Sequence, residues 1–397
     1  MDAHLKKRIH PHHCVPVSRS ETPAGEKAKK CASTIFNVPA KGRQARAQAF
    51  HPLTIRGVTM QNRIWVSPMC QYSAHEGFHN LWHTTHYGGM AQRGPGLVML
   101  EATAVQANGR ITPEDSGIWL DAHVDELRKH TQFAHSQNAL IAIQLAHAGR
   151  KASTVAPWLS SAAVATHEAG GWPDNVYGPS DVPFGENYPT PRAMTLAEID
   201  QLKEDFVLGA RRAVAAGFDV VELHFAHGYL VFENRTRLAL ELVEAVRAAL
   251  PEETPLFVRI SATEWLDTNP DYQGESWTLD DTVRLAHLFA ERGVKGGPGY
   301  QAPFAKAIKR AVGDKLLVST VGSIKDGVLA EELISGGKDE NDTPVDLVAA
   351  GRMFQKNPGL VWQWADDLGT SIQVAHQIGW GFGGRGGKTK TPVSNIP

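Results

Sequence analysis

Seven short apolar runs, each separated from the next by an amphipathic window, limit what this chain can fold into. The runs are "RIWVSPM", "GLVMLEA", "LIAIQLA", "DVVELHF", "PLFVRIS", "KLLVSTV" and "DLVAAG". The windows include "DELRKHTQFAHSQ", "LAEIDQLKEDFVLGARRAVAAG", "NRTRLALELVEAVRAAL", "LDDTVRLAHLFAERG", "APFAKAIKRAVG" and "DGVLAEELISGG". Strands alternating with helices at this spacing are the pattern of βαβ units around a parallel sheet. Seven units of one kind predict an α/β protein of the (β/α)8 TIM barrel class with one strand obscured. The alternative is a doubly wound sheet. No strand-like run is followed by GxGxxG, so the usual dinucleotide fingerprint of that fold is absent.

The barrel pattern fills residues 50–368 of 397, which leaves a 1–49 segment read as a flexible extension and a 369–397 tail. The first segment is rich in Lys, Arg, Pro, Ala and Ser. Its "HPHHC" at His10–Cys14 has metal-ligand residue types but nothing nearby to order a site, so no metal is expected. With 40 basic against 42 acidic residues, the net charge of −2 argues against a nucleic-acid footprint. Cys14, Cys31 and Cys70 show no CxxC spacing, and no apolar run approaches a bilayer span. A cytoplasmic protein is expected. Mitochondrial targeting is the alternative, because basic residues outnumber acidic ones at the amino terminus, though Asp2 and Glu21 weigh against it.

In a barrel, chemistry collects at the carboxyl ends of the strands. Reading those ends gives Cys70 and Tyr72, then Glu101 to Thr103, then Gln144 and His147, then His224, His227 and Tyr229. Arg259 follows on the fifth strand, with "STVGSI" and "AAGRMF" on the last two. So many polar groups at successive strand ends point to one converging pocket. Singly, each has a plainer explanation. Cys70 can be a small buried hydrophobe, the histidines can bond across a loop, Tyr229 can simply pack, and the glycines can serve turns. Arg259 on an apolar strand is more telling, since a guanidinium stays charged and must meet an anion or several acceptors. The glycines after the last two strands fit the usual phosphate position of barrels.

"NRIWVSPMCQYSA", "EATAVQANGRITPEDSGIW", "IAIQLAHAGRKAS", "AAGFDVVELHFAHGYL", "FENRTRLALELVEAVR", "LFVRISATEW" and "LVAAGRMFQKNP" resemble the old yellow enzyme family of FMN-dependent ene-reductases. The resemblance is to the branch with a cysteine near the flavin, fungal members above all, and runs from about residue 49 to about 368. It implies an oxidoreductase that takes hydride from NAD(P)H and reduces the activated C=C bond of small enones and enals. Pro68, Met69 and Cys70 would lie along the flavin, with Ala102 approaching through its backbone. Gln144 would bond the pyrimidine side, and Arg259 would face the atoms that become negative on reduction. Gly322, Gly351 and Arg352 would hold the phosphate. His224 and His227 match the pair that grips the substrate carbonyl, Tyr229 the proton donor, and Tyr72 would line the substrate side. Partners are then small molecules rather than nucleic acid or membrane, and a homo-oligomer is allowed for. A dienoyl-thioester reductase is the runner-up among flavin barrels, disfavoured because no cysteine cluster is present for an iron–sulfur centre.

Two departures from the family pattern stand out. After "HGYL" a long polar loop is expected, yet Leu230 and Val231 lead straight into "FENRTR". After "AERGV" a sixth strand and a Ser-Gly-rich loop are expected, yet only "VKGGPGY" precedes the next helix, so "GVKGG" is the sole remnant of that strand. The alternative expectation is therefore a catalytically impaired barrel that binds flavin weakly or not at all.

Overall fold

Each apolar run forms a strand, and all seven strands join one curled parallel sheet. They are β1 (Ile64–Val66), β2 (Leu97–Ala104), β3 (Ile141–Ala146), β4 (Val220–Phe225), β5 (Leu256–Ile260), β6 (Ser319–Val321) and β7 (Leu347–Ala350). The spatial order is β6-β7-β1-β2-β3-β4-β5. The structure, a computed structural model, describes residues 47–161, 163–233, 236–266, 269–294, 302–337 and 342–381. The helices are α1 (Leu81–Ala91), α2 (His123–Ser136), α3 (Leu196–Ala216), α4 (Arg237–Ala249), α5 (Leu279–Glu291), α6 (Ala302–Val312) and α7 (Gly327–Ser335), followed by α8 (Arg352–Lys356) and α9 (Leu360–Asp367). Capping boxes start α3 (Thr195 with Glu198) and α5 (Thr278 with Asp281), while Gly217 and Gly336 end α3 and α7 in left-handed conformation.

Strand alternation sorts the core into two layers. Ile64, Val98, Leu100, Ile141, Ile143, Leu145, Val221 and Leu223 face the helices in the larger cluster. Trp65, Leu97, Met99, Ala142, Val220, Phe257 and Leu347 form a second cluster inside the curve, joined by Ile55 and Met60 of the hairpin Leu53–Ile55 and Val58–Met60. The inner apolar residues lie near the strand starts, so the hairpin closes the amino-terminal end. One alternation further on, the same inner face carries Ser67, Gln144, Glu222, His224 and Arg259. Apolar packing at one end thus leaves polar groups at the carboxyl end.

β5 and β6 are the two edges of the sheet, and among the described residues no strand joins them. Of the "GVKGG" remnant, residues 295–297 lie outside the described residues, whereas Val294 is buried and closes the turn after α5 by donating to the Phe289 carbonyl (3.2 Å). At the other departure from the family pattern, Tyr229 passes directly into a short helix, Leu230–Glu233. Leu230 and Val231 are buried, and Leu230 N–H donates to the His147 carbonyl (3.2 Å). Gly149 lets them close up: its φ is +58°, and a Cβ there would stand 2.9 Å from Leu230 Cα.

The described residues open with the turn Gln48–Phe50, whose first two N–H groups donate to the Glu331 carboxylate (2.9 and 2.8 Å). It continues past 368 to the buried Ile372 and Ala375. His10–Cys14 and Cys31 lie outside the described residues, as does the tail after 381.

Candidate active site

β4 ends in the titratable group that the sequence singles out. The His224 and His227 rings lie 5.1 Å apart, His224 and Tyr229 5.2 Å, and His227 and Tyr229 6.3 Å, all edge-on. His227 adopts φ +65° and Gly228 φ +69°, which turns the chain sharply so that three side chains from six residues can converge. The His227 N–H donates to Ser261 Oγ (3.0 Å), and Lys151 Nζ donates to its carbonyl (2.8 Å). His224 is buried, and its Nδ1 has no hydrogen-bond partner among the described residues. Burial, and then the charges of His227, Arg259 and Lys151, holds its pKa well below the ordinary imidazole range. It is therefore a neutral ring at pH 7. Burial raises the Tyr229 phenol well above its usual value, so Tyr229 is a protonated phenol there.

Register brings the neighbouring strands to the same level. Arg259 pairs with His224, Glu222 with Gln144, and Gln144 with Ala102. Gln144 Nε2 donates to Glu222 Oε1 (2.6 Å), and an Arg259 guanidinium N–H donates to Ser67 Oγ (3.0 Å). A bulge in the β2–β3 pairing between Leu100 and Ala102 moves Ala102 onto the inner face. Cys70 bonds the Ala102 backbone and the Tyr72 side chain, and burial followed by the nearby Asp115 and Glu101 carboxylates raises its thiol pKa. Tyr72, at φ +46°, packs edge-on to Trp158 at 5.5 Å.

At β6 and β7, Gly322 has φ +124° and Gly351 leads into α8. A Cβ on Gly351 would meet Met69 Sδ at 3.2 Å. Gly322 and Arg352 are exposed, while Pro68, Met69 and Gly351 are half-buried. All of the sequence-predicted positions thus lie at the carboxyl edge, distributed over β1 to β7.

Lys151, His79 and His83 were not singled out from sequence, whereas Glu101 was named as a strand-end group. Lys151 lies 5.3 Å from the Tyr229 ring centre and 3.9 Å from that of Phe184; the only signal was a basic residue soon after a strand end. Beneath the Cys70 loop, Glu101 accepts the Gln71 N–H and lies 3.1 Å from His83 Nε2. His79 bridges Ser116 (2.6 Å) and His130 (3.0 Å). His79, His83 and Glu101 have ligand atoms within 4.8 Å of one another, as a metal centre would. However, the two imidazoles stack at 3.9 Å with planes 8° apart. An ion bonded at about 2 Å to both lone pairs would have to lie in both planes at once. This cluster is better described as a packed brace, tied to the Cys70 loop by the Gln71 N–H bond to Glu101.

Comparison with known proteins places this geometry among relatives. Residues 48–233 match the model of the NADH:flavin oxidoreductase / NADH oxidase family. The NADH:flavin oxidoreductase FG08077 of Gibberella zeae is 47% identical over 388 aligned positions, covering 87% of this chain and 92% of the relative. An NADPH dehydrogenase of a Geobacillus species is 39% identical, over 84% of this chain and 98% of its own length. Among solved structures, morphinone reductase superposes with a TM-score of 0.64 at 22% identity, covering 89% of this chain and 96% of its own, a likeness of fold.

Proposed function

The chain belongs to the NADH:flavin oxidoreductase / NADH oxidase family, and from that premise we propose that it reduces the activated C=C bond of α,β-unsaturated carbonyl compounds, with Tyr229 as proton donor. It is an oxidoreductase that uses FMN, with NAD(P)H as hydride donor, and acts on small molecules. No helix among the described residues is long and apolar enough to cross a membrane.

The residues fit the cofactor. Gly322 holds a φ that a side chain rarely adopts, a Cβ on Gly351 would crowd Met69 Sδ at 3.2 Å, and buried His224 keeps a ring nitrogen with no hydrogen-bond partner among the described residues. Gly322, Gly351 and Arg352 would hold the phosphate. Pro68, Met69, Cys70 and Ala102 would flank the ring, and Gln144 and Arg259 its polar edge. Cys70 favours the cysteine-containing branch of old yellow enzymes. Bound FMN supplies hydride to the substrate β-carbon. His224 and His227, one N–H each, hold the carbonyl oxygen as negative charge builds there, and Tyr72 lines the substrate side. Tyr229 gives its phenolic proton to the α-carbon.

The observation that carries this reading is the convergence of His224, His227 and Tyr229 within 5.1–6.3 Å at one strand end, level with Arg259. Its test is Tyr229→Phe. Flavin reduction by NADPH should be nearly unchanged, while reoxidation by cyclohex-2-enone slows by roughly the 10²–10⁴ of a general acid. Equal slowing of both half-reactions would remove Tyr229 from the role. A second reading, weak FMN binding by an incomplete barrel, is favoured by the edges of β5 and β6, which no strand among the described residues bridges. It is also favoured by the Gibberella alignment, which is longer than the stretch of this chain that it covers.

A further inference from the structure

His227 holds a backbone conformation that is costly for a residue with a side chain unless its surroundings fix it. Its φ is +65°, and Gly228 follows at +69°. Tyr229 comes next, so the same two residues aim both the second imidazole and the phenol. Each end of the His227 backbone is tied by a side chain from outside β4. Ser261, directly after β5, accepts the His227 N–H (3.0 Å). Lys151, in the turn Gly149–Lys151 after β3, donates its ammonium to the His227 carbonyl (2.8 Å). β3 and β5 are the strands that flank β4, so the turn is gripped from both sides. Gly149 sets the reach of Lys151, because its φ of +58° and missing Cβ let the Gly149–Lys151 turn pack against Leu230 at the exit of β4. Phe184 covers the outer side: its ring centre is 3.9 Å from Lys151 Nζ, and its Cε2 lies 3.2 Å from where a Gly228 Cβ would stand.

We propose that Lys151 is a positioning residue for the enone half-reaction: with Ser261 as its counterpart it clamps the left-handed His227 turn, so that His227 and Tyr229 are aimed before substrate arrives. The inference rests on the roles proposed above for His227 and Tyr229. Lys151 acts through the His227 carbonyl and needs no contact with substrate. A preset turn matters because an oxyanion donor and a general acid work only within hydrogen-bond reach, and a released turn would point one or both away for part of the time. The ammonium has a second effect, on the His227 ring. The groups facing that ring are Lys151 after β3, Arg259 on β5, and His224 and Tyr229 at its own strand end. Desolvation, then the charges of Arg259 and Lys151, lowers its pKa to about 4. Because His227 as a residue keeps contact with solvent, the cations are the cause that a substitution can test. One side chain thus holds the backbone of His227 in place and favours the neutral ring.

The test uses FMN-loaded enzyme and two readouts: reoxidation of the reduced flavin by cyclohex-2-enone, and titration of the His227 ring followed by NMR. Lys151→Met removes the bond and the charge, Ser261→Ala removes a bond alone, and Lys151→Arg keeps a cationic donor. The first two should each slow reoxidation at least about tenfold, with the Kd for FMN within about twofold of wild type, and Lys151→Arg should stay within about twofold in both. The His227 ring should titrate near pH 4 in wild type and in Ser261→Ala, and at higher pH in Lys151→Met, because imidazolium forms more readily once a nearby cation is gone. A wild-type rate in Lys151→Met, or a His227 titration that does not move there, would overturn the proposal. If Lys151→Met does not fold, Ser261→Ala decides, and a wild-type rate in it would overturn the clamp. The titration needs no turnover. Failure of the ene-reductase reading, seen as wild type inert toward the enone or Tyr229→Phe reoxidising normally, is therefore told apart from failure of the clamp.

Discussion

His224 illustrates how one residue's surroundings decide its chemistry. Beside Lys151 and Arg259, and buried, it cannot hold a second proton near neutrality, so it enters the site as a single-donor ring. Its electrophilic strength then comes from position. Replacing His224 or His227 with Ala should weaken binding of a phenol, whose oxyanion imitates the charge on the reacting oxygen, by about 1.5–3 kcal/mol, roughly 10- to 150-fold in Kd by FMN difference spectroscopy. Unchanged Kd in both would leave them structural. At this scale the sequence was readable where a rule of position applied: strand ends pointed to Cys70, Gln144, His224, Tyr229 and Arg259. Lys151 was not readable, because a loop carries no period and its relation to Tyr229 arises only when β3 and β4 lie side by side. Glu101 was read as a strand-end group, but its grouping with His79 and His83 was hidden for the same reason, spread over a loop, a helix and a strand.

At the scale of elements, strands and long helices were legible because their burial is periodic, and all seven apolar runs became strands. Helix α1 was missed. "LWHTTHYGGMA" has two glycines, paired threonines and exposed Leu81 and Trp82, so its apolar residues follow no clear face. Its signal was Asn80, which caps the helix with His83 completing the box. The two shortened connections behave differently. Direct entry from Tyr229 into Leu230–Glu233 is well packed under Gly149, whereas β5 and β6 have no partner on their facing sides among the described residues. Each unmet buried backbone group costs about 1–3 kcal/mol, against a whole-domain stability of about 5–15 kcal/mol. Inserting a family-like strand and loop after Val294 should therefore raise Tm and tighten FMN binding. A polar loop inserted after Leu230 should change Tm little. Thermal unfolding with FMN fluorescence titration checks both, and equal Tm and affinity with and without the Val294 insertion would show that the edges are already satisfied.

The whole molecule has an uneven response to pH. Burial holds His79, His130, His147 and His224 below the ordinary imidazole value, His130 at about 4 and His147 at about 3. An unfolded chain takes up protons below about pH 6.5 that the folded one refuses, so stability falls as pH drops below that point. Asp115 acts in the opposite direction. The unfolded chain releases its proton near pH 4 and the folded one keeps it to about 8, so stability also falls as pH rises across that window, by up to about 1.4 kcal/mol per unit. With His86, His123 and His227 also lowered, seven histidines outweigh it on the acid side, and above pH 6.5 it acts without them. With FMN in fixed excess, Tm should peak near pH 6.5, and Asp115→Asn should flatten the limb between 6.5 and 8. A Tm independent of pH from 5 to 8 would contradict this account. The same wholeness governs the site itself. Ala102, Gln144 and Glu222 are level across three strands, and His224 is level with Arg259. Because side chains alternate between faces, a slip of one residue in any of these ladders would turn the chemistry toward the helices and the apolar residues inward. The ladder therefore acts as a vernier on folding: a chain one notch out of step would lose its colour and its reaction together, rather than becoming a slower version of the same catalyst.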